Sequence, residues 1–177
     1  MSLSAVVLAA GAATRFGTPK QRLLLPDVLE RVRAAGLDEI VVVLGAYAAE
    51  TDARVVECPD WERGPGASLR CGLAALSPET EAVVVVLADG PDLPTAAIAR
   101  VVAAWRHHDA PLVAASYGGS RGHPLVLARS GWSDVPDEGL RARAALLVPC
   151  DDLGFPGDVD EPADLPERFR NLSDEPM

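Results

Sequence analysis

Two cations follow a run of small residues near the start of the chain, and this is where chemistry is most legible. The stretch reads Leu8-Ala9-Ala10-Gly11-Ala12-Ala13-Thr14-Arg15-Phe16-Gly17-Thr18-Pro19-Lys20. Small side chains at 9–13 let backbone amides approach an anion closely. Arg15 can grip phosphate oxygens in a bidentate way, and Lys20 adds a point charge. Such groups would stabilise negative charge developing on an α-phosphate and on departing pyrophosphate. The spacing is neither that of a Walker A loop nor G-x-G-x-x-G. The plain alternative is a glycine turn with two solvated cations.

A carboxylate set comes next. Leu87-Ala88-Asp89-Gly90-Pro91-Asp92-Leu93-Pro94 closes the most apolar segment of the chain. A carboxylate there needs a partner, because burying it alone is costly. Mg²⁺ takes one or two carboxylates together with substrate phosphate oxygens, so Asp89 is the first candidate ligand. Asp92 is read as a cap for the helix beginning near Pro94. Far along the chain, Gly157-Asp158-Val159-Asp160-Glu161-Pro162 alternates acidic and other residues. An extended segment would put Asp158 and Asp160 on one face, where both could approach Asp89; the alternative is a solvated acidic tail. Gly66 and Ser68, in Gly64-Pro65-Gly66-Ala67-Ser68, open a helix whose first amides and hydroxyl could meet an anion. A structural N-terminus with Trp61 as packing anchor reads equally well. Arg121 and His123 sit in a Gly-rich turn, Gly118 to Pro124. His123 could hydrogen-bond a ligand or simply occupy a strand edge.

These residues need a scaffold that gathers loops at one rim. Apolar runs at Val6–Leu8, Ile40–Leu44, Arg54–Glu57 and Val83–Leu87 are read as strands. Helices are expected over Asp27–Ala35, Ala67–Leu76 and from Pro94 onward, with a short one at Ala46–Thr51. Pro111–Ser116 and Pro124–Leu127 read as strands around Gly118-Gly119, and Leu146–Pro149 as a last strand before a helical turn near Pro162–Phe169. Strands apolar on both faces, alternating with helices, imply an α/β fold: a Rossmann-like three-layer sandwich around a mainly parallel sheet. Ligands in such sheets bind at the carboxyl ends of strands near a switch point in strand order. The loops after Leu8, Glu57 and Leu87 are therefore the places where a site belongs.

Composition bounds the rest. The 177 residues suit one domain, 1–177, with a core of about 4–168 and an acidic tail over 169–177. The formal net charge of −10 disfavours a nucleic-acid or anionic-membrane binder. Apolar runs are far shorter than a membrane span, and the first residues lack a signal-peptide pattern, so a cytoplasmic protein is expected. Cys58, Cys71 and Cys150, widely spaced and odd in number, are read as reduced, structural thiols.

Taken in order, these segments resemble the MobA-like nucleotidyltransferase family, which includes molybdenum cofactor cytidylyltransferases and guanylyltransferases. The first loop resembles its L-A-A-G-x-x-x-R-F/M-G-x-x-K signature, with Ala10 on the cytidylyltransferase side. Residues 59–72 resemble N-P-x-W-x-x-G-x-x-x-S-L/I-x-x-G, Asp89 falls on the L-x-D-x-P aspartate, residues 121–124 resemble R-G-H-P, and Asp158–Leu165 resembles the family's acidic ending. Asp137-Glu138-Gly139 is a looser match.

The resemblance implies a nucleotide-diphospho-sugar transferase-like fold and a Mg²⁺-dependent reaction. An NTP, CTP favoured and GTP possible, would be joined to a molybdopterin-type phosphorylated acceptor with release of pyrophosphate. Leu8, Ala9, Ala10, Gly11, Arg15, Lys20, Gly66, Ser68 and Asp89 would bind the nucleotide, and Arg15, Lys20 and Asp89 would carry catalysis. Arg121 and His123 would face the acceptor, Asp89, Asp158 and Asp160 would hold the metal, and molybdoenzyme maturation partners are implied. Gly90 replaces the usual Gln or Met, Glu161 the usual Thr, and the turn after Gln21 is shortened. That shortening leaves open a non-catalytic nucleotide-binding accessory protein. Other phosphorylated acceptors and, more remotely, a dinucleotide-dependent oxidoreductase also stay open.

Overall fold

Why one sheet gathers these loops is visible in a computed structural model, which describes residues 2–12 and 20–170. Seven strands form the sheet in the order β3-β2-β1-β4-β6-β5-β7. They are β1 (Ser2–Ala9), β2 (Ile40–Leu44), β3 (Arg54–Glu57), β4 (Thr80–Leu87), β5 (Leu112–Tyr117), β6 (Ser120–Ala128) and β7 (Leu146–Pro149). Helices α1 (Lys20–Ala34), α2 (Pro65–Ala75) and α3 (Thr95–His108) cover it, with a short α4 (Glu167–Arg170) near the end of the described chain. β1 pairs in parallel with β2 on one side and with β4 on the other. Among the described strands only β6 runs against its neighbours, pairing antiparallel with β4 and β5. The chain builds outward from β1 to β3 and then returns to β1's other flank at β4, so the switch in strand order lies between β1 and β4.

Alternate residues of each central strand feed two cores. Ala5, Val7, Val84, Val86, Val113 and Val126 pack under α1 and α3 with Val28, Val32, Ile98, Val101 and Trp105. Val6, Val41, Val43, Val83, Val85 and Leu127 pack under α2 with Leu69 and Leu73. Burial on both faces is what requires the unbroken apolar run of β4. Each of the valines, leucines and isoleucine among these contributes on the order of 1.5–3 kcal/mol by leaving water. Pro65 sits at the first position of α2, where its missing N–H costs nothing. α3 ends with Arg106, a cation suited to a helix C-terminus, in its last turn, and Asp109 follows in the left-handed region at φ 48°.

Four local expectations are corrected. α1 begins at Lys20 rather than Asp27 and carries Pro26 inside it. Pro26 forfeits one backbone hydrogen bond, but Leu24 and Leu25, both almost fully buried, hold this first part of the helix against the rest of the protein. The Ala46–Thr51 segment is irregular rather than helical. Ala46 N–H donates instead to the Ala10 carbonyl at 3.1 Å. Asp92 does not cap α3, whose cap is Pro94 without a side-chain bond; the Asp92 carboxylate pairs with Arg168 at 2.8 Å. Cys58 and Cys71 are joined in a disulfide, against the expectation of reduced thiols. α2 folds back over the end of β3 and brings their Cα atoms to 5.8 Å, a reachable span that a separation of 13 residues does not advertise. Cys150 is free and buried.

Candidate active site

The carboxyl ends of β1 and β4 open on a cleft of about 750 Å³. Asp89 stands two residues beyond β4. Its backbone carbonyl accepts from Val159 N–H at 3.1 Å, and Asp92 N–H donates to the Pro156 carbonyl at 2.8 Å. The 156–160 segment is thereby laid along the turn after β4. That lacing brings ligand oxygens of Asp89, Asp158 and Asp160 within 4.8 Å of one another, as the alternation of the acidic segment suggests. Burial raises the Asp89 pKa above the ordinary carboxylate value. The Lys20 charge opposes that rise and the Asp158 charge adds to it. A cluster of three carboxylates with this balance favours a cation, and an all-oxygen donor set suits a hard divalent ion. These residues fit a metal of the Mg²⁺ or Mn²⁺ type.

Lys20 reaches the same cluster from the first residue of α1. Its Nζ lies 3.4 Å from Asp89 Oδ2 and 3.6 Å from Asp160 Oδ1, and it donates to the Val159 carbonyl. Only 7% of the residue is exposed. One turn further along α1, Leu24 packs on Val159 in a small cluster with Leu165 and Phe169. The same helix face that buries Leu24 therefore delivers the Lys20 ammonium.

The opposite wall comes from the start of β6. Val85 lies opposite Leu125, a register that carries His123 toward the Leu87 end of β4; both line the cleft with Arg121, Asp89 and Asp158. Burial, with help from the Arg121 charge, pushes the His123 pKa down to about 4. The imidazole is therefore neutral at pH 7, able to give or accept a hydrogen bond but not to act as a cation. Arg121 donates to the Arg141 and Arg143 carbonyls. Its buried Nη2 has no partner among the described residues, a donor that an anionic ligand in the cleft could use.

The remaining expected residues are distributed unevenly. Leu8 lines the cleft, whereas Ala9 and Ala10 are buried, and Gly11 is exposed at the edge of the described chain. Arg15 lies outside the described residues. Gly66 and Ser68 are buried in the first turn of α2. The Gly66 amide donates to the Asp137 carbonyl at 2.9 Å, so the structure commits it to protein.

Sequence reasoning missed what stands over that helix start. Asp137 takes Arg63 at 3.0 Å and also pairs with Arg70, pinning a loop whose Glu138, Gly139, Leu140 and Arg141 line the cleft. The loose Asp137-Glu138-Gly139 match was the only signal. Phe155, 60% exposed, meets Tyr117 edge-on at 5.4 Å at the cleft rim, and no motif marks it.

A model of the MobA-like NTP transferase domain matches residues 5–145, which includes the loop after β1, α2, Asp89 and the β5–β6 hairpin. The chain belongs to the MobA-like NTP transferase family. As a family member it is a nucleotidyltransferase, and an NTP is the substrate that fits. Among relatives of this family member is nicotine blue oxidoreductase of Paenarthrobacter nicotinovorans. It is 34% identical over 163 residues, covering 84% of this chain and 78% of that protein. A solved homolog of Mycobacterium tuberculosis Rv0371c, from Mycobacterium sp. strain JC1, superposes with a TM-score of 0.77 at 27% identity. The match covers 97% and 95% of the two chains. Rv0371C of M. tuberculosis, solved in complex with manganese, gives a TM-score of 0.72 at 27% identity over 99% and 100% of the chains.

Proposed function

We propose that this protein is a Mg²⁺-dependent cytidylyltransferase that joins CTP to a molybdopterin-type phosphorylated acceptor, with GTP as the second nucleotide to consider. The observation that carries the reading is the convergence of Asp89, Asp158 and Asp160 at one wall of a cleft whose other wall holds Arg121 and His123. The manganese complex of the related Rv0371C supports a divalent ion. When bound, that ion would neutralise phosphate charge and orient the nucleotide. In this mechanism an acceptor phosphate oxygen attacks the α-phosphorus in line; the new P–O bond forms as the α–β bridging bond breaks and pyrophosphate leaves. A phosphate acceptor is already ionised, so no base is required. What the chain supplies is position and charge: Asp89, Asp158 and Asp160 hold the metal, Arg15 and Lys20 offset polyphosphate charge, and Arg121 and His123 orient the acceptor.

The test is pyrophosphate release by purified protein with Mg²⁺, molybdopterin and CTP, GTP or ATP in turn, alongside Asp89→Ala. Release with CTP, abolished by Asp89→Ala, is expected. Release with GTP alone reassigns the base, and no release with any nucleotide refutes the acceptor. The relative at 34% identity favours one second reading, a dinucleotide-dependent oxidoreductase. Titration with NADH and NADPH decides it: saturable binding supports that reading and no binding removes it.

A further inference from the structure

The carboxylate cluster already holds a cation, and that cation belongs to the protein. Lys20 Nζ lies 3.4 Å from Asp89 Oδ2 and 3.6 Å from Asp160 Oδ1 and donates to the carbonyl of Val159, which stands between Asp158 and Asp160. The position is built rather than incidental. Leu24 on the same face of α1 is fully buried against Val159, and Val159 N–H is bonded to the Asp89 carbonyl. A divalent ion bound at about 2.1 Å from these carboxylates would stand next to the ammonium, and the two cations would repel each other at short range. A lysine has a flexible four-carbon stem and a compact charge, so it can leave without moving the helix that carries it.

We propose that Lys20 is a tethered counter-ion that competes with the metal for Asp89, Asp158 and Asp160, so that metal enters only as the ammonium is drawn off to a phosphate. Metal and nucleotide then bind as one event, and in the metal-free site the ammonium offsets part of the carboxylate charge. The proposal rests on the metal and polyphosphate roles given above, and it is tested without turnover.

Mn²⁺ alone is titrated into wild-type protein, Lys20→Met and Lys20→Gln, with free Mn²⁺ read by electron paramagnetic resonance. Arg168→Met serves as the control. It removes the same unit of charge from a residue that pairs with Asp27 and Asp92, outside the cluster. Lys20→Met and Lys20→Gln are expected to bind Mn²⁺ at least about tenfold more tightly than wild type, and Arg168→Met within about twofold of it. Far-UV circular dichroism and the melting temperature check that each variant is folded, and Lys20→Gln keeps a polar group for Val159 if Lys20→Met is destabilised. Unchanged or weaker Mn²⁺ binding in both folded Lys20 variants overturns the proposal. So does an equal gain in Arg168→Met, or no Mn²⁺ binding by any of the proteins. Tight Mn²⁺ binding in the variants, with no pyrophosphate release from wild type, upholds the competition and counts only against the substrates named above.

Discussion

Replacing Gly66 by alanine tests whether this glycine serves the protein's own packing or a ligand. On helix propensity alone the change should help, by up to about 1 kcal/mol. The surroundings oppose it. A Cβ at position 66 would lie 1.7 Å from the Pro136 carbonyl oxygen and 2.8 Å from its carbon. Both are backbone atoms with no rotamer to change, so the 136–139 turn must withdraw by more than about an ångström. Overpacking of this kind costs about 1–3 kcal/mol. Loss of the Gly66–Asp137 backbone hydrogen bond adds about 1 kcal/mol. After the propensity gain, Gly66→Ala is expected to destabilise by about 1–3 kcal/mol. At about 2–4 °C per kcal/mol for a chain of this size, the melting temperature should fall by about 2–12 °C. Differential scanning calorimetry reads it directly. Gly72→Ala is a useful comparison, because the nearest atoms to its Cβ would be side-chain methyls of Val6 and Val43 at 2.7–3.1 Å. A Gly66→Ala melting temperature equal to or above wild type, with nucleotide binding impaired, would refute the packing account and return Gly66 to the nucleotide.

Two further outcomes follow from the structure. Cys71→Ser opens the loop that the Cys58–Cys71 bond closes across 13 residues; a closure of this length stabilises by about 3 kcal/mol, so the melting temperature should drop by about 6–12 °C. Dithiothreitol should lower wild type by the same amount and leave Cys71→Ser unmoved. His123, whose folded pKa is pushed down to about 4, makes stability pH-dependent with a definite sign. The unfolded imidazole takes up a proton below about 6.5 while the folded one resists, so its contribution is complete above that pH and is lost as pH falls toward 4. Melting curves of His123→Gln should therefore lose less stability than wild type between pH 6.5 and 4; parallel curves across that window would contradict the assignment.

The parts of the fold that were legible from the residues are those where one physical requirement dominates. Val83–Leu87 had to be a central strand because nothing else buries such a run, and the alternation of Asp158 and Asp160 placed both carboxylates beside Asp89. What escaped depends on non-local packing. The start of α1 was masked by Pro26, whose cost is overcome by the burial of Leu24 and Leu25. The disulfide depends on how far α2 leans over β3. The engagement of Gly66 by Asp137 joins segments some 70 residues apart, and the lodging of Lys20 among acids depends on a side-chain path that no spacing rule records.

The reversed course of β6 builds the two walls of the cleft from opposite strand directions. Parallel strands can offer only their C-terminal ends to the rim, and β1 and β4 do so. A strand running the other way offers its beginning, so Arg121 and His123 arrive on a hairpin closed by Gly118 and Gly119. Under the roles proposed above, a substitution at Arg121 or His123 changes one wall of the cleft and leaves the Lys20–Asp89 wall in place.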